Sequence, residues 1–328
     1  MTRPRTLLLA LVALAVALGL GAYWLTSDSG ESGLQASVSV ADAMSSDTTG
    51  YRRAATVRDF SFPEDHGPHP DFKNEWWYVT GNLSGSDGQP FGYELTIFRF
   101  ALQPPQDDVQ LASTGRSGWR TDQFYMAHFA VTDGAGNTFY DYERFGRGGA
   151  GLAGGQADPF RVWLEDWSMA STGADTFPIR LRAQGADAAV DLTLRPQKPK
   201  VLQGDRGLSQ KGPGSGNASY YYSYTRLGTE GTVVVGGDTT QVSGQSWMDR
   251  EWSTSALGPN QEGWDWFALQ LDDGRDLMYY QLRNTDGPAS RFSEGTLVRP
   301  DGAKTTLQRG DVTLEVLDTW TTPDGTHT

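Results

Sequence analysis

From about Tyr51 onward, apolar and polar positions alternate. Phe91, Tyr93, Leu95 and Ile97 are separated by Gly92, Glu94 and Thr96, and Val190, Leu192 and Leu194 by Asp191 and Thr193. A period of two is the mark of a strand with one buried face. No helical stripe of comparable length follows residue 50. Six Asp-Gly pairs interrupt the runs (Asp87-Gly88, Asp133-Gly134, Asp273-Gly274, Asp286-Gly287, Asp301-Gly302 and Asp324-Gly325). Asp-Gly suits two-residue type I′ turns, which need positive φ at both central residues. The pattern predicts an all-β chain, a sandwich or a barrel.

One stretch breaks this pattern. Leu7 to Leu25 is uncharged and mostly apolar, preceded by Arg3 and Arg5 and followed by Thr26-Ser27-Asp28-Ser29. A positive end, an apolar middle and a polar exit form the layout of an export signal, and the length is also close to the ~20 residues that span a bilayer. Residues 1–25 are therefore expected to be a signal peptide or an uncleaved membrane anchor. The body is expected outside the cytoplasm, periplasmic or secreted. Residues 26–54 read as a flexible linker.

Turn chemistry gives one hairpin in detail. With Asp273-Gly274 as the two central residues, Leu269 faces Met278, Phe267 faces Tyr280 and Asp265 faces Leu282. Asp265 then shares the apolar face with Phe267, Leu269, Met278, Tyr280 and Leu282, while Trp264, Trp266, Tyr279, Gln281 and Arg283 take the other. An acid on that face is paired, lies at a strand end near water, or is held protonated. A weak repeat also emerges: Glu75-Trp76 and Glu251-Trp252 each precede an Asp-Gly turn and a strand closed by Arg99 or Arg283. It predicts two related β units, residues 55–241 and 242–328, the second incomplete because only Thr326–Thr328 follow its last Asp-Gly pair.

Composition narrows the function. The 328 residues carry 27 Lys+Arg against 40 Asp+Glu, a net charge of -13, with no basic cluster, which argues against nucleic acid. There is no Cys, so disulfides, thiolate metal sites and a Cys nucleophile are excluded. The 11 Trp, 13 Tyr and 14 Phe are ample for a core. His66 and His69 have Gly and Pro between them, which excludes the helix that would aim both rings at one metal. His128 alternates with Phe124, Met126 and Ala130, so it points into a cavity or is hydrogen-bonded in a core. G-x-S-x-G and P-loop motifs are absent, and with no helical stripe after residue 50 there is no strand–glycine loop–helix fingerprint for a dinucleotide. What remains is Glu75-Trp76-Trp77-Tyr78 and Gln245-Ser246-Trp247-Met248-Asp249-Arg250-Glu251-Trp252. In a strand Trp247, Asp249 and Glu251 share one face. Two acids and a Trp there could bind a polar group or share a proton; equally, Trp and Arg could close a barrel end by stacking, with an acid bridging the Arg.

Four of these segments carry a resemblance: His69-Pro-Asp-Phe-Lys-Asn-Glu75-Trp76-Trp77-Tyr78, Phe91 to Arg99, Tyr221 to Arg226, and Trp247-Met-Asp249-Arg250-Glu251-Trp252-Ser. In this order, over residues 55–328, the chain resembles the AttH/CrtC family, the lipocalin-like group that includes carotenoid 1,2-hydratase (hydroxyneurosporene synthase). The Trp-Met-Asp-Arg-Glu-Trp pattern looks closer to its secreted-hydrolase branch. The resemblance implies two tandem lipocalin-like β-barrels, an extracytoplasmic place and, often, an ABC-type exporter nearby.

Hydrating an isoprenoid double bond begins by protonating carbon, which needs a carboxylic acid kept neutral by burial and π faces that steady the cation. Asp249, Asp265 and Glu251 are the candidate acids, Asp249 foremost. Trp247, Trp264, Trp266 and Tyr280 are the expected lining, with Trp76, Trp77, Tyr78, Arg99 and His128 completing the ligand-binding set. The reaction requires no metal or organic cofactor. Two functions fit: a hydratase or related acid–base enzyme acting on a lipophilic molecule, or a non-catalytic carrier of such a molecule at the envelope.

Overall fold

Alternation does make strands. The computed structural model describes residues 47–105, 121–255, 257–258, 260–319 and 321. The expected signal or anchor, residues 26–46 of the expected linker and the Asp324-Gly325 turn lie outside them. The end of that linker is docked: Tyr51 Oη donates to the Ala101 carbonyl, Thr254 Oγ1 to that of Arg52, and Ala54 is buried.

Thirteen strands form one antiparallel sheet that curls into a nearly closed barrel. Outward from the middle of the sheet run β1 (Asn74–Gly85), β2 (Pro90–Ala101), β3 (Gln123–Asp133) and β4 (Thr138–Arg147) on one side. On the other side come β13 (Asp238–Ser253), β12 (Ala218–Val235) and β9 (Ala188–Pro196), then β8 (Ile179–Gln184), β7 (Trp167–Ser171), β6 (Phe160–Leu164) and β5 (Ala153–Ala157). β1 pairs with β13, and the short β10 (Val201–Leu202) and β11 (Leu208–Gln210) lie along β12. The edge strand β4 meets the far part of the sheet through side chains: Arg144 pairs with Asp166, between β6 and β7, and donates to the Gln184 carbonyl at the end of β8, and Tyr142 Oη accepts from the Asp187 N–H, between β8 and β9.

The barrel interior is a packed core. Trp77, Val79 and Leu83 of β1 join Tyr93, Leu95 and Ile97 of β2, Tyr125, Phe129 and Val131 of β3, and Leu181, Leu192, Tyr222, Met248 and Trp252 in one buried cluster. A second sheet of four strands follows: β14 (Gln261–Gln270), β15 (Asp276–Asn284), β16 (Glu294–Val298) and β17 (Lys304–Gln308). Its apolar face packs on the outer wall of the barrel, where Tyr221 and Trp247 meet Met278, Tyr280 and Leu282.

Three details depart from the expected layout. Residue 242 falls inside β13, which stays paired with β1 and β12 as far as Ser253; the change of sheet comes between Ser253 and Gln261. The two Glu-Trp pairs, expected as copies in separate units, are neighbours: Glu75 lies opposite Trp252 and Trp76 opposite Glu251. Finally, the Asp-Gly hairpins at 87–88, 273–274 and 301–302 are three-residue loops rather than two-residue ones. Leu271 N–H bonds the Arg275 carbonyl, Gly274 N–H bonds that of Leu271, and Gly274 has φ +81. The Asp carboxylate sets the choice. Asp87, Asp273 and Asp301 each accept from the N–H two residues on, an Asx turn that keeps Asp at negative φ and leaves only Gly left-handed.

That extra residue shifts the β14–β15 register by one and exchanges the two faces. Trp266 now faces Tyr280, Trp264 faces Leu282, and Asp265 faces Gln281. Asp265 is therefore on the face away from the barrel, half-exposed and 3.6 Å from Arg283 Nη1. It is not an acid on the apolar face.

Candidate functional site

The same alternation divides the motif residues of β1 and β13 into two sets. Inward-facing residues build an ionic clamp at one end of the barrel. Glu75, fully buried, takes Arg99 Nε and Arg250 Nη2, and the His69 backbone N–H at 3.0 Å. His69 also reaches Asp65 at 3.0 Å, and Arg58 pairs with that Asp65. The Arg250 guanidinium lies 3.9 Å over the Trp77 ring, and the His69 ring stacks at 3.8 Å on Trp252. Burial would push the Glu75 carboxyl up, but Arg99 and Arg250 hold it well below the usual carboxylate range. Here Trp and Arg do close a barrel end. Trp77 and Arg99, expected in a ligand site, belong to this clamp and core.

The outward-facing residues form rows across three strands: Tyr78, Asp249 and Ser223 in one, Trp76, Glu251 and Tyr221 in the next. Asp249 is 4% exposed. Its Oδ1 accepts from Ser223 Oγ at 2.5 Å and Trp247 Nε1 at 2.8 Å, and its Oδ2 from Tyr221 Oη at 2.9 Å. Behind Ser223 stands Gln203, whose Nε2 donates to Ser223 Oγ at 2.8 Å and whose Oε1 accepts from Thr296 at 2.7 Å. Burial pushes the Asp249 carboxyl up to about 7, although Ser223, Trp247 and Tyr221 pull it down; nearby Glu251 adds to the rise. Burial also raises Tyr221 and Tyr280 well above the ordinary phenol value, with help from neighbouring carboxylates.

The small sheet covers this row. Trp266 stands edge-on to Tyr78 at 5.3 Å and to Trp247 at 6.4 Å, and its Nε1 donates to Tyr221 Oη at 3.4 Å. Tyr280 Oη bonds Glu294 and Ser209, both at 3.0 Å. Glu251 accepts from Ser219 and lies 3.5 Å from Lys211 Nζ. A buried latch seats the cover. Asp276 of β15 accepts from Lys198 Nζ at 2.7 Å, Thr225 Oγ1 at 2.8 Å and Arg226 Nη2 at 2.7 Å. Thr225 and Arg226 occupy the bulge where the β12 register shifts, which lets adjacent residues reach the same carboxylate.

The layer thus brings together Trp76, Tyr78, Trp247, Asp249, Glu251, Trp266 and Tyr280 of the expected set. Trp264 lies at its rim, 39% exposed. His128 is on the outer wall, not in a cavity; its side chain is 36% exposed and bonds Glu143 at 3.0 Å, because the inward places on β3 go to Tyr125, Ala127, Phe129 and Val131. His66, buried, bonds Tyr222 at 2.6 Å, and burial lowers its imidazole to about 3. Residues not among the expected site residues complete the site: Tyr221 and Ser223, which lie in the Tyr221 to Arg226 segment, and Ser219, Gln203, Lys211, Glu294 and Asp276. The alternation Ser219, Tyr221, Ser223 beside Tyr220, Tyr222, Tyr224 was the signal available, a polar-aromatic face on a strand whose other face is wholly aromatic.

With the geometry in hand, comparison with known proteins places the chain. Among curated proteins nothing matches it significantly. Among solved structures it is similar to a Nitrosomonas europaea protein assigned as an AttH, with 33% identity over 83% of this chain and 80% of that one, and a TM-score of 0.72. It shares its fold with kievitone hydratase from Nectria haematococca, at 15% identity over 84% of this chain and 76% of that one, with a TM-score of 0.57. The AttH-like family model matches residues 53–328, so this chain, with its nearly closed barrel and second β sheet, belongs to the AttH-like family.

Proposed function

We propose that the protein is an acid catalyst that hydrates, or performs a related acid–base reaction on, an apolar isoprenoid-like molecule held between the barrel wall and the small sheet. One observation carries this reading: Asp249 is a carboxyl removed from water among indole and phenol rings and poised near neutral pH. A neutral Asp249 gives its Oδ proton to an alkene carbon, and the adjacent carbon becomes cationic against the Trp247 and Trp266 faces. Water adds its oxygen there, and its spare proton returns to the Asp249 carboxylate, restoring the acid. Atoms and charge balance without a cofactor. That the fold also houses a hydratase is consistent with the proposal, though the likeness is one of fold alone.

A second reading, non-catalytic carriage of a lipophilic molecule, is favoured by one feature. Both Asp249 oxygens are already occupied by Ser223, Trp247 and Tyr221. The N-terminal apolar run supports an extracytoplasmic setting for either function, with membrane contact through that run, and the resemblance to exported relatives supports an ABC-type exporter as partner. The test is turnover of terpenoid and polyene alkenes in labelled water. Asp249→Asn should leave ligand binding intact and lower turnover by about 10²–10⁴-fold. Turnover unchanged in that variant would remove Asp249 as the acid. A lipid that co-purifies without being turned over would leave carriage.

A further inference from the structure

Lys211 presents a cation to the Asp249 layer, ion-paired at long range with Glu251. Its side chain is 19% exposed. The ammonium sits 3.7 Å over the Tyr280 ring and 5.6 Å from the Tyr221 ring, and it pairs with Glu251 Oε1 at 3.5 Å. Among the described residues it donates no hydrogen bond, although an ammonium has three donors to satisfy. Its backbone is held: Lys211 N–H bonds the Asn217 carbonyl, and the Lys211 carbonyl accepts from Gln261 Nε2 at 3.1 Å, a β14 contact. The side chain is therefore delivered to the rim of the layer by a fixed loop that also touches the covering sheet. Tyr221 links the two ends, since its ring lies beside Lys211 while its hydroxyl donates to Asp249.

We propose that Lys211 is the ligand-reading cation of this site, and that the ligand is an amphiphile: an apolar body along Tyr221, Tyr280 and Trp266, and an anionic oxygen group (carboxylate, sulfonate or phenolate) on Lys211. This rests on the reading of the layer as the ligand site. A partly desolvated ammonium over an aromatic ring gains most from an acceptor that carries charge, because charge-assisted hydrogen bonds are about twice as strong as neutral ones. Glu251 holds Lys211 in place until the ligand oxygen arrives.

Two fluorescent probes with the same anilino-naphthalene body, one bearing a sulfonate (anilinonaphthalene sulfonate) and one neutral (phenylnaphthylamine), test this on the full chain. The wild type should bind the sulfonate about tenfold more tightly than the neutral probe. Lys211→Gln should abolish that preference while changing neutral-probe affinity by less than about twofold, and Lys211→Arg should retain it. Because Lys211→Gln also leaves Glu251 unneutralised, Lys211→Gln/Glu251→Gln is the control, and it should still show no preference. The proposal is overturned by equal affinities in the wild type, by a preference that survives Lys211→Gln or returns in the double variant, or by failure of both probes to bind. Asp249→Asn should keep the sulfonate preference, so failure of Asp249 as an acid is distinguishable from failure of Lys211 as the reader.

Discussion

Changing Asp249 to Asn should flatten the dependence of stability on pH. Asn is the near-isostere of the protonated acid: its carbonyl can accept from Trp247 and Ser223 and its amide can donate to Tyr221, as the acid proton would. In the wild type the folded value is about 7 against an ordinary 3.8, and the cause is burial. Between these values the unfolded chain has released a proton that the native state keeps, so native stability falls as pH rises. The slope is about 1.4 kcal/mol per pH unit, and the whole interval is worth about 4 kcal/mol. This stability is fully present below about pH 3.8 and lost as pH rises through about 7. The variant lacks that term, and every other group, including buried His66 with its opposite trend as pH falls, cancels in the difference. Urea unfolding of both proteins from pH 4 to pH 8 should give closely similar stabilities at the acid end, with the variant more stable by up to about 4 kcal/mol at pH 8. Parallel curves across this range would refute the claim that burial keeps Asp249 protonated.

The remaining predictions concern the parts that hold the site. Glu75→Gln should cost about 3–5 kcal/mol in a urea melt, because Arg99 and Arg250 would remain buried without their counter-charge. Asp276→Ala should unseat the small sheet: hydrogen exchange in β14 and β15 should accelerate while the barrel strands stay protected, and uniform protection would count against a latch. Gly274→Ala should destabilise by about 1 kcal/mol, since the new Cβ meets only Pro300 at ordinary contact distance and the cost is the φ of +81.

Strand content and inner faces were legible because a period of two is local: each of Phe91, Tyr93, Leu95 and Ile97 declares its side without reference to any partner. Register was less legible. Asp-Gly is compatible with a two-residue loop and with a three-residue loop in which Asp bonds the N–H two residues ahead, and the two differ by one residue. That single residue decides whether Asp265 or Trp266 faces the barrel. A two-residue loop puts Asp265 on the apolar face and the three-residue loop turns it away, whereas the face of Asp249 depends only on its own strand.

The same distinction explains which site residues escaped notice. Trp76, Trp77 and Tyr78 look like one aromatic motif, yet alternation sends Trp77 under Arg250 and the other two to the outer wall, so adjacent residues serve different structures. Asp249 and Asp276 are both almost wholly enclosed acids, but three donors from β12 and the loop before β10 surround Asp276, two of them cations, whereas the donors to Asp249 among the described residues are all neutral. Cations keep a buried carboxylate ionised; hydroxyls and an indole leave it near balance. The charge of the donors, which topology sets and local sequence does not show, separates an acid that fastens two sheets from one that can give up a proton. Replacing a neutral donor with a cation should therefore convert Asp249 toward the first kind, lowering its titration point and any proton-donating activity together.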